Sequence, residues 1–215
     1  METPELIGER SLPTIFYKAM HAEELEYWGD MCNGNETAFG KIYNYFARDL
    51  FRYGYRISED TALVQDSIQD LFLNIWNKRR DLTDVHSPRF YLYRSLRNKL
   101  IRSSESNRLL FSEDGEMVEQ WFPSENDLES NWIIDETSRI QTEKLHNALQ
   151  KLPVRQQEVI QLRYYHDFSA EEIGRIMNIN QQSVRNLQNR AIQHLRSELP
   201  FLSLAMLTAI LKFHF

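Results

Sequence analysis

The sequence contains few of the residues that cross-link a chain or interrupt its helices. One cysteine, Cys32, excludes an intramolecular disulfide and a cysteine-cluster metal site, and it fits a reducing compartment. Seven glycines and six prolines in 215 residues favour long helices over many short strands. The acidic N-terminus has no apolar signal-peptide core, and no apolar run approaches the ~20 residues that span a bilayer. We expect a cytoplasmic, mostly helical protein without stable membrane insertion.

Common catalytic and cofactor motifs are also absent from the sequence. It contains no P-loop, no glycine-rich dinucleotide fingerprint and no His-Glu-x-x-His zinc motif. Its six histidines are scattered along the chain. We therefore expect a protein that is not an enzyme and that holds no cofactor and no metal.

The net charge of -6 conceals sharp reversals along the chain. Between Lys78 and Arg102, eight cations stand against two acids, whereas residues 103–138 hold ten acids and one arginine. The last third of the chain is mildly basic. Because local charge decides which part of a protein meets an anionic partner, the two basic blocks are candidates for binding nucleic acid.

Apolar residues at three- and four-residue spacing predict helices from Asn35, from Ser58 or Asp60, from Arg89 and from Arg139 onward. We predict an all-α fold of two small helical domains joined by an acidic linker. The predicted segments are an acidic and loose or weakly helical leader at 1–34, a helical bundle at 35–104, the linker at 105–138, a helix-turn-helix domain at 139–199 and an apolar tail at 200–215.

The last predicted helices have the pattern of a helix-turn-helix. Ser169 to Glu172 has the sequence of a capping box, and no acid occurs between Gln181 and Ser197. Arginine, asparagine and glutamine side chains form bidentate pairs with guanine and adenine edges. One face of the final helix therefore predicts DNA contacts by Gln182, Arg185, Asn186, Asn189 and Arg190. The alternative is an amphipathic helix with an ordinary solvated face.

Two further stretches carry weaker signals. In the helix from Arg89, arginines alternate with aromatic residues, a combination that suits unpaired DNA, although the aromatics also fit a core with cations facing solvent. In the helix before it, a stripe along one face is either a wet surface or a docking face for a partner helix. This stripe consists of Asp66, Gln69, Asp70 and Leu73.

Three strings in order resemble the extracytoplasmic-function (ECF, group IV) sigma factors of RNA polymerase. They are Gln69 to Trp76, Tyr91 to Asn98 and Leu149 to Pro153, followed by the helix-turn-helix. The resemblance covers about residues 35 to 197. The final helix and the apolar tail after it are similar to those of members from the Bacteroidetes.

The resemblance implies a division of roles between a sigma domain 2 and a sigma domain 4. It implies that Asp66, Gln69, Asp70 and Leu73 dock on the β′ clamp helices of core polymerase, and that domain 4 docks on the β flap. It implies that the last helix reads the -35 element, and that the segment from the Arg80–Pro88 loop through Arg97 and Asn98 melts and reads the -10 element. The residues matched to the -10 element are Arg89, Tyr91, Arg94, Arg97 and Asn98. An anti-sigma factor is the further implied partner.

Two other functions remain open from the sequence alone. A stand-alone helix-turn-helix regulator would bind duplex DNA tightly without polymerase, as a dimer on a two-fold site. A helical adaptor that binds no DNA would carry its basic blocks only as solvated faces.

Overall fold

In the computed structural model, residues 14–108 and 144–199 are described, and their regular secondary structure is helical throughout. The N-terminal elements are α1 (Thr14–Cys32), α2 (Glu36–Ser58), α3 (Thr61–Asn77), a 3-10 turn (Arg79–Leu82) and α4 (Pro88–Arg108). The C-terminal elements are α5 (described over 144–150), α6 (Val154–Ile160), a π-helical segment (Gln161–Tyr165), α7 (Ala170–Met177) and α8 (Gln181–Glu198). The predicted all-α class is confirmed.

The chain divides into two compact units, and the division falls within α4 between Leu96 and Arg97. It lies earlier in the chain than the predicted domain end at residue 104. In the first unit, α2 packs against both α1 and α3. Its core consists of apolar and aromatic side chains that are almost fully buried, including Trp28, Ile42, Leu50, Tyr53, Val64, Ile75, Leu92 and Leu96.

In the second unit, α8 packs against α6 and α7. One continuous cluster of buried apolar residues from α5, the turn after it, α6 and the end of α8 forms the core of this unit. Its members are Leu145, Ala148, Leu149, Leu152, Ile160, Ala191, Leu195 and Leu199. Because α8 contributes Ala191 and Leu195, and its C-cap is Leu199, the helix presents one apolar face inward and leaves the opposite face to solvent.

Side-chain caps fix where several helices begin. The Asp60 carboxylate accepts a hydrogen bond from the Leu63 backbone N–H at 3.0 Å, so Asp60 rather than Ser58 caps α3. Asn35 caps α2 in the same way through the Ala38 N–H. Each cap satisfies a backbone donor that the first helical turn leaves without a partner.

The second half of the predicted leader is a regular helix that packs into the first unit, whereas the sequence predicted a loose or weakly helical segment. From Thr14 it forms α1, and Trp28, Met31 and Cys32 of this helix are buried in the first unit. The helix was not recognised from apolar spacing because one of its buried positions is occupied by a carboxylate, Glu24. A charged residue at a core position lowers the apolar periodicity from which such a helix is recognised.

Three predicted segments lie wholly or mostly outside the described residues: the start of the leader at 1–13, the linker from residue 109, and the apolar tail at 200–215. The first residues assigned to the linker are helical, since α4 continues to Arg108. Over the ranges 14–108 and 144–199, no helix has the combination of length and apolarity that crossing a membrane requires.

Candidate nucleic-acid and partner interfaces

The turn between α7 and α8 is built by local hydrogen bonds. At the start of α7, the Glu172 N–H donates to the Ser169 hydroxyl and the Ser169 N–H donates to the Glu172 carboxylate, which completes the predicted capping box. Asn178 ends α7 in the left-handed conformation with a φ of 54°. Asn180 then caps α8 through a 2.7 Å hydrogen bond from the Ser183 N–H. These caps fix where α7 begins and ends and where α8 begins.

Gly174 allows α7 and the turn to approach closely. A Cβ atom at this position would lie 2.8 Å from the Ile179 carbonyl oxygen, which is backbone and cannot rotate away. We expect Gly174→Ala to lower the free energy of unfolding by about 1–3 kcal/mol, the range for overpacking a tight site. Chemical denaturation measures it.

Gly40 provides the matched control for that substitution. It lies inside α2, and a Cβ atom there would meet nothing within 4 Å. Gly40→Ala should therefore stabilise the protein by about 0.5–1 kcal/mol through helix propensity. Equal effects at both glycines would contradict a steric role for Gly174.

The outer face of α8 gathers the five side chains predicted to contact DNA. They are exposed, whereas Val184, Ala191 and Leu195 on the opposite face are buried. The exposed set is Gln182, Arg185, Asn186, Asn189 and Arg190. Gln182 donates a side-chain hydrogen bond to Asn186 at 3.2 Å, so these two amides are neighbours along the face. The face combines cations and amides and contains no carboxylate.

A polar contact on its inner side fixes how α8 is rotated. The Gln188 amide is half-buried and donates to the Tyr164 hydroxyl at 3.0 Å. Tyr164 belongs to the π-helical segment after α6 and packs against the core of the second unit. Because Gln188 points inward, Arg185 and Asn189 are directed to solvent.

Three of the five residues predicted to contact unpaired DNA are accessible on α4. Arg94 and Asn98 are exposed, and the Arg94 guanidinium lies 6.0 Å from the centre of the Phe90 ring. Tyr91 is half-buried, with its ring edge-to-face against Trp28 at 5.8 Å. The exposed cations Lys78 and Arg80 precede α4 and extend the basic surface of this unit.

The other two arginines of that set, Arg89 and Arg97, need correction, because both are buried in ion pairs. Arg89 Nη2 lies 2.5 Å from Glu24 Oε1. Arg97 Nε lies 2.7 Å from Glu158 Oε1 of α6, within the second unit. A buried guanidinium with a carboxylate partner does not contact DNA in this conformation. Sequence spacing could not reveal either pair, since the partners are 65 and 61 positions apart.

The predicted docking stripe on α3 faces outward. Asp66, Gln69 and Asp70 are exposed, and Leu73 has 59% of its surface accessible. The opposite face of α3 supplies buried Val64, Ile68, Leu71, Phe72 and Ile75 to the core. An exposed leucine between acids and an amide is a surface that a partner helix can cover.

Two family models match separate parts of this chain. The model described as Sigma-70 region 2 matches residues 42–109, and Sigma-70, region 4 matches residues 148–197. Together they cover more than half of the chain. The region 4 match includes α7, the turn and all of α8 except its last residue, and the region 2 match includes α3 and α4.

Similar proteins give the subclass. The ECF RNA polymerase sigma factor BldN of Streptomyces coelicolor is 28% identical over 171 residues, which are 78% of this chain and 62% of BldN. The ECF sigma factor SigL of Mycobacterium tuberculosis is 26% identical over 160 residues, which are 72% of this chain and 85% of SigL. The chain belongs to the ECF sigma factors. It spans less than two thirds of the length of BldN.

Solved structures agree with the fold of this ECF sigma factor. CnrH, solved in complex with the cytosolic domain of CnrY, has 19% identity and a TM-score of 0.53, over 84% of this chain and 99% of that chain. RpoE of Bartonella quintana, solved with the anti-sigma factor NepR, has 19% identity and a TM-score of 0.52, over 75% and 96%. Sigma factors are non-enzymatic initiation factors, so this chain is not expected to perform catalysis itself.

Proposed function

We propose that this ECF sigma factor binds core RNA polymerase and directs promoter-specific initiation at -35 and -10 elements. The observation that carries the proposal is the outer face of α8, where amides and two arginines are exposed on a capped second helix of a helix-turn-helix. A second helix of this kind enters the major groove with its N-terminal residues at the base edges. The stand-alone regulator is not favoured, because two sigma regions match in one chain.

Within α8, the proposed -35 contacts divide by chemistry. Arg185 and Arg190 can hold phosphates or pair with guanine, while Gln182, Asn186 and Asn189 can pair with adenine. Each bidentate pair gives about 1–3 kcal/mol of discrimination against a wrong base. The absence of carboxylates on this face removes repulsion of the phosphate backbone.

In region 2, we propose that Arg94 and Asn98 contact the -10 element and that Tyr91 stacks on an unpaired base. The exposure of Arg94 and Asn98 supports the first proposal, and the partial exposure of Tyr91 supports the second. Arg89 is not retained as a DNA contact, because its guanidinium is paired with Glu24 inside the first unit. Arg97 can contact DNA only where its ion pair with Glu158 opens.

Core polymerase is the proposed partner of the α3 stripe of Asp66, Gln69, Asp70 and Leu73. Region 2 docks through this stripe on the β′ clamp helices, and region 4 docks on the β flap. The accessible Leu73 side chain supplies apolar area, and the acids around it select a basic partner surface.

An anti-sigma factor is the proposed regulator, since the structures of CnrH and RpoE were solved with CnrY and with the anti-sigma factor NepR. A cytoplasmic location follows from the proposed partnership with polymerase. We further propose that this chain is related to ECF sigma factors from the Bacteroidetes. The composition of α8 and of residues 200–215 supports this relationship.

Binding to promoter DNA with and without core polymerase tests the proposed function. We expect the sigma factor alone to bind promoter fragments weakly and the complex with core to bind them specifically, as measured by gel shift with competitor DNA. Tight and specific binding by the protein alone, as a dimer on a two-fold site, would instead support the stand-alone regulator.

A further inference from the structure

A five-residue loop, 83–87, joins the 3-10 turn to α4. Its Thr83, Asp84 and His86 side chains are exposed. Backbone hydrogen bonds start and end it: the Val85 N–H donates to the Leu82 carbonyl at 3.3 Å, and the Tyr91 N–H donates to the Ser87 carbonyl at 3.1 Å. The loop directly precedes α4, which carries the residues proposed to contact the -10 element. We therefore expect the conformation of the loop to affect which side chains are presented to DNA.

The first end of the loop is held by Trp28 of α1. The Trp28 indole Nε1–H donates to the Leu82 carbonyl oxygen at 3.1 Å, and the bond is buried. Trp28 itself is only 2% exposed, and its ring meets Tyr91 of α4 edge-to-face. One side chain therefore contacts the residue before the loop and an aromatic candidate for base stacking after it.

The second end is held by Glu24, one helical turn earlier in α1. Its carboxylate pairs with Arg89, the second residue of α4, and both side chains are buried. The Tyr45 hydroxyl lies 3.4 Å from the same guanidinium. Burial, reinforced by the Glu24 charge, raises the pKa of Tyr45, which keeps this hydroxyl neutral.

We infer that Glu24 and Trp28 are positioning residues that hold loop 83–87 and the start of α4 in the geometry that discriminates bases of the -10 element. The inference rests on the proposed function. The two residues are four positions apart on one face of α1, so a single rigid helix fixes both ends of the loop.

The physical reason is preorganisation. A loop with fixed ends loses less conformational freedom when it orders on DNA, and its polar side chains meet a base in one geometry rather than several. Releasing one end weakens contact with the preferred base more than with a substituted base. A role in packing alone would change stability without changing this preference.

Trp28→Phe tests the first anchor, because it keeps an aromatic ring beside Tyr91 but removes the N–H donor together with part of the buried indole. The measurement is in vitro transcription with core polymerase from two templates, a promoter selected by the wild-type protein and the same promoter with one -10 base substituted. The measured ratio is the activity on the selected promoter divided by the activity on the substituted promoter. We expect this ratio to fall about fivefold, which is the effect of losing one hydrogen bond. Both templates share one protein preparation, so the ratio is independent of the folded fraction.

Glu24→Asp tests the second anchor, since it keeps the charge but shortens the side chain that reaches Arg89. We expect a fall of similar size. Tyr27→Phe is the matched control, because Tyr27 lies on the same helix and its ring packs under Lys41 of α2. Its ratio should equal that of the wild type.

An unchanged ratio in Trp28→Phe or in Glu24→Asp would overturn the inference, and so would an equal fall in Tyr27→Phe. These outcomes are distinct from failure of the proposed function. If the wild-type protein directs no specific initiation with core polymerase, the proposed function itself is wrong.

Discussion

Promoter-specific transcription should be abolished when Arg185→Glu and Arg190→Glu are combined, while binding to core polymerase stays unchanged. Both arginines are exposed on the outer face of α8 and contribute nothing to the core of the second unit. The substitutions remove two of the proposed DNA contacts and place carboxylates where phosphates would approach. At about 1–3 kcal/mol for each lost contact, the activity should fall at least about thirtyfold from the lost contacts alone, and charge repulsion lowers it further. In vitro transcription measures the loss, and co-purification with core measures the retained binding.

Arg196→Glu is the control for charge reversal on the same helix. Arg196 is also exposed, but it lies in the last turn of α8, beyond the five proposed contacts. Its reversal should cost far less activity than reversal of Arg185 or Arg190 alone, because the N-terminal part of such a helix approaches the bases. Full activity of the double variant would support a helical adaptor that binds no DNA. Loss of core binding would contradict the proposed division of labour.

Association with core polymerase should weaken at least about tenfold when Asp66→Arg and Asp70→Arg are combined. Both side chains are exposed on α3, and reversing them turns attraction to a basic partner surface into repulsion. The fold should survive, since the buried face of α3 is untouched. Titration of labelled sigma factor with core polymerase measures the affinity, and thermal unfolding checks the fold.

Glu23→Arg with Glu26→Arg makes the same change of charge on exposed acids of α1. This control variant should bind core polymerase as the wild type does. Equal weakening in the two variants would indicate a response to net charge alone. If the α3 variant binds core polymerase with unchanged affinity, the stripe is not a docking surface.

The second unit was predictable because its signals are local. The capping box at Ser169, the cap at Asn180 and the inward position of Val184 each depend on residues within a few positions of one another. Capping hydrogen bonds between residues three positions apart form in the same way in many tertiary contexts. The helix-turn-helix and its exposed face could therefore be predicted from the sequence pattern.

The packing of α1 in the first unit and the burial of Arg89 and Arg97 in ion pairs were not predictable from local signals. Glu24 and Arg89 are distant in sequence, and each looks like a solvated charge until the tertiary structure brings them together. The same holds for Arg97 and Glu158. Buried ion pairs depend on desolvation and geometry across the fold, which no local periodicity encodes. The proposed -10 surface therefore has fewer accessible cations than the basic block suggested, because Arg89 and Arg97 are buried.

In vitro transcription from genomic fragments, with core polymerase in the presence and absence of this protein, tests the central claim most directly. The account predicts that core polymerase alone starts transcripts without preference, and that adding the protein produces discrete start sites downstream of a shared pair of -35 and -10 sequences. An unchanged transcript pattern, with the protein folded and added in excess, would contradict it.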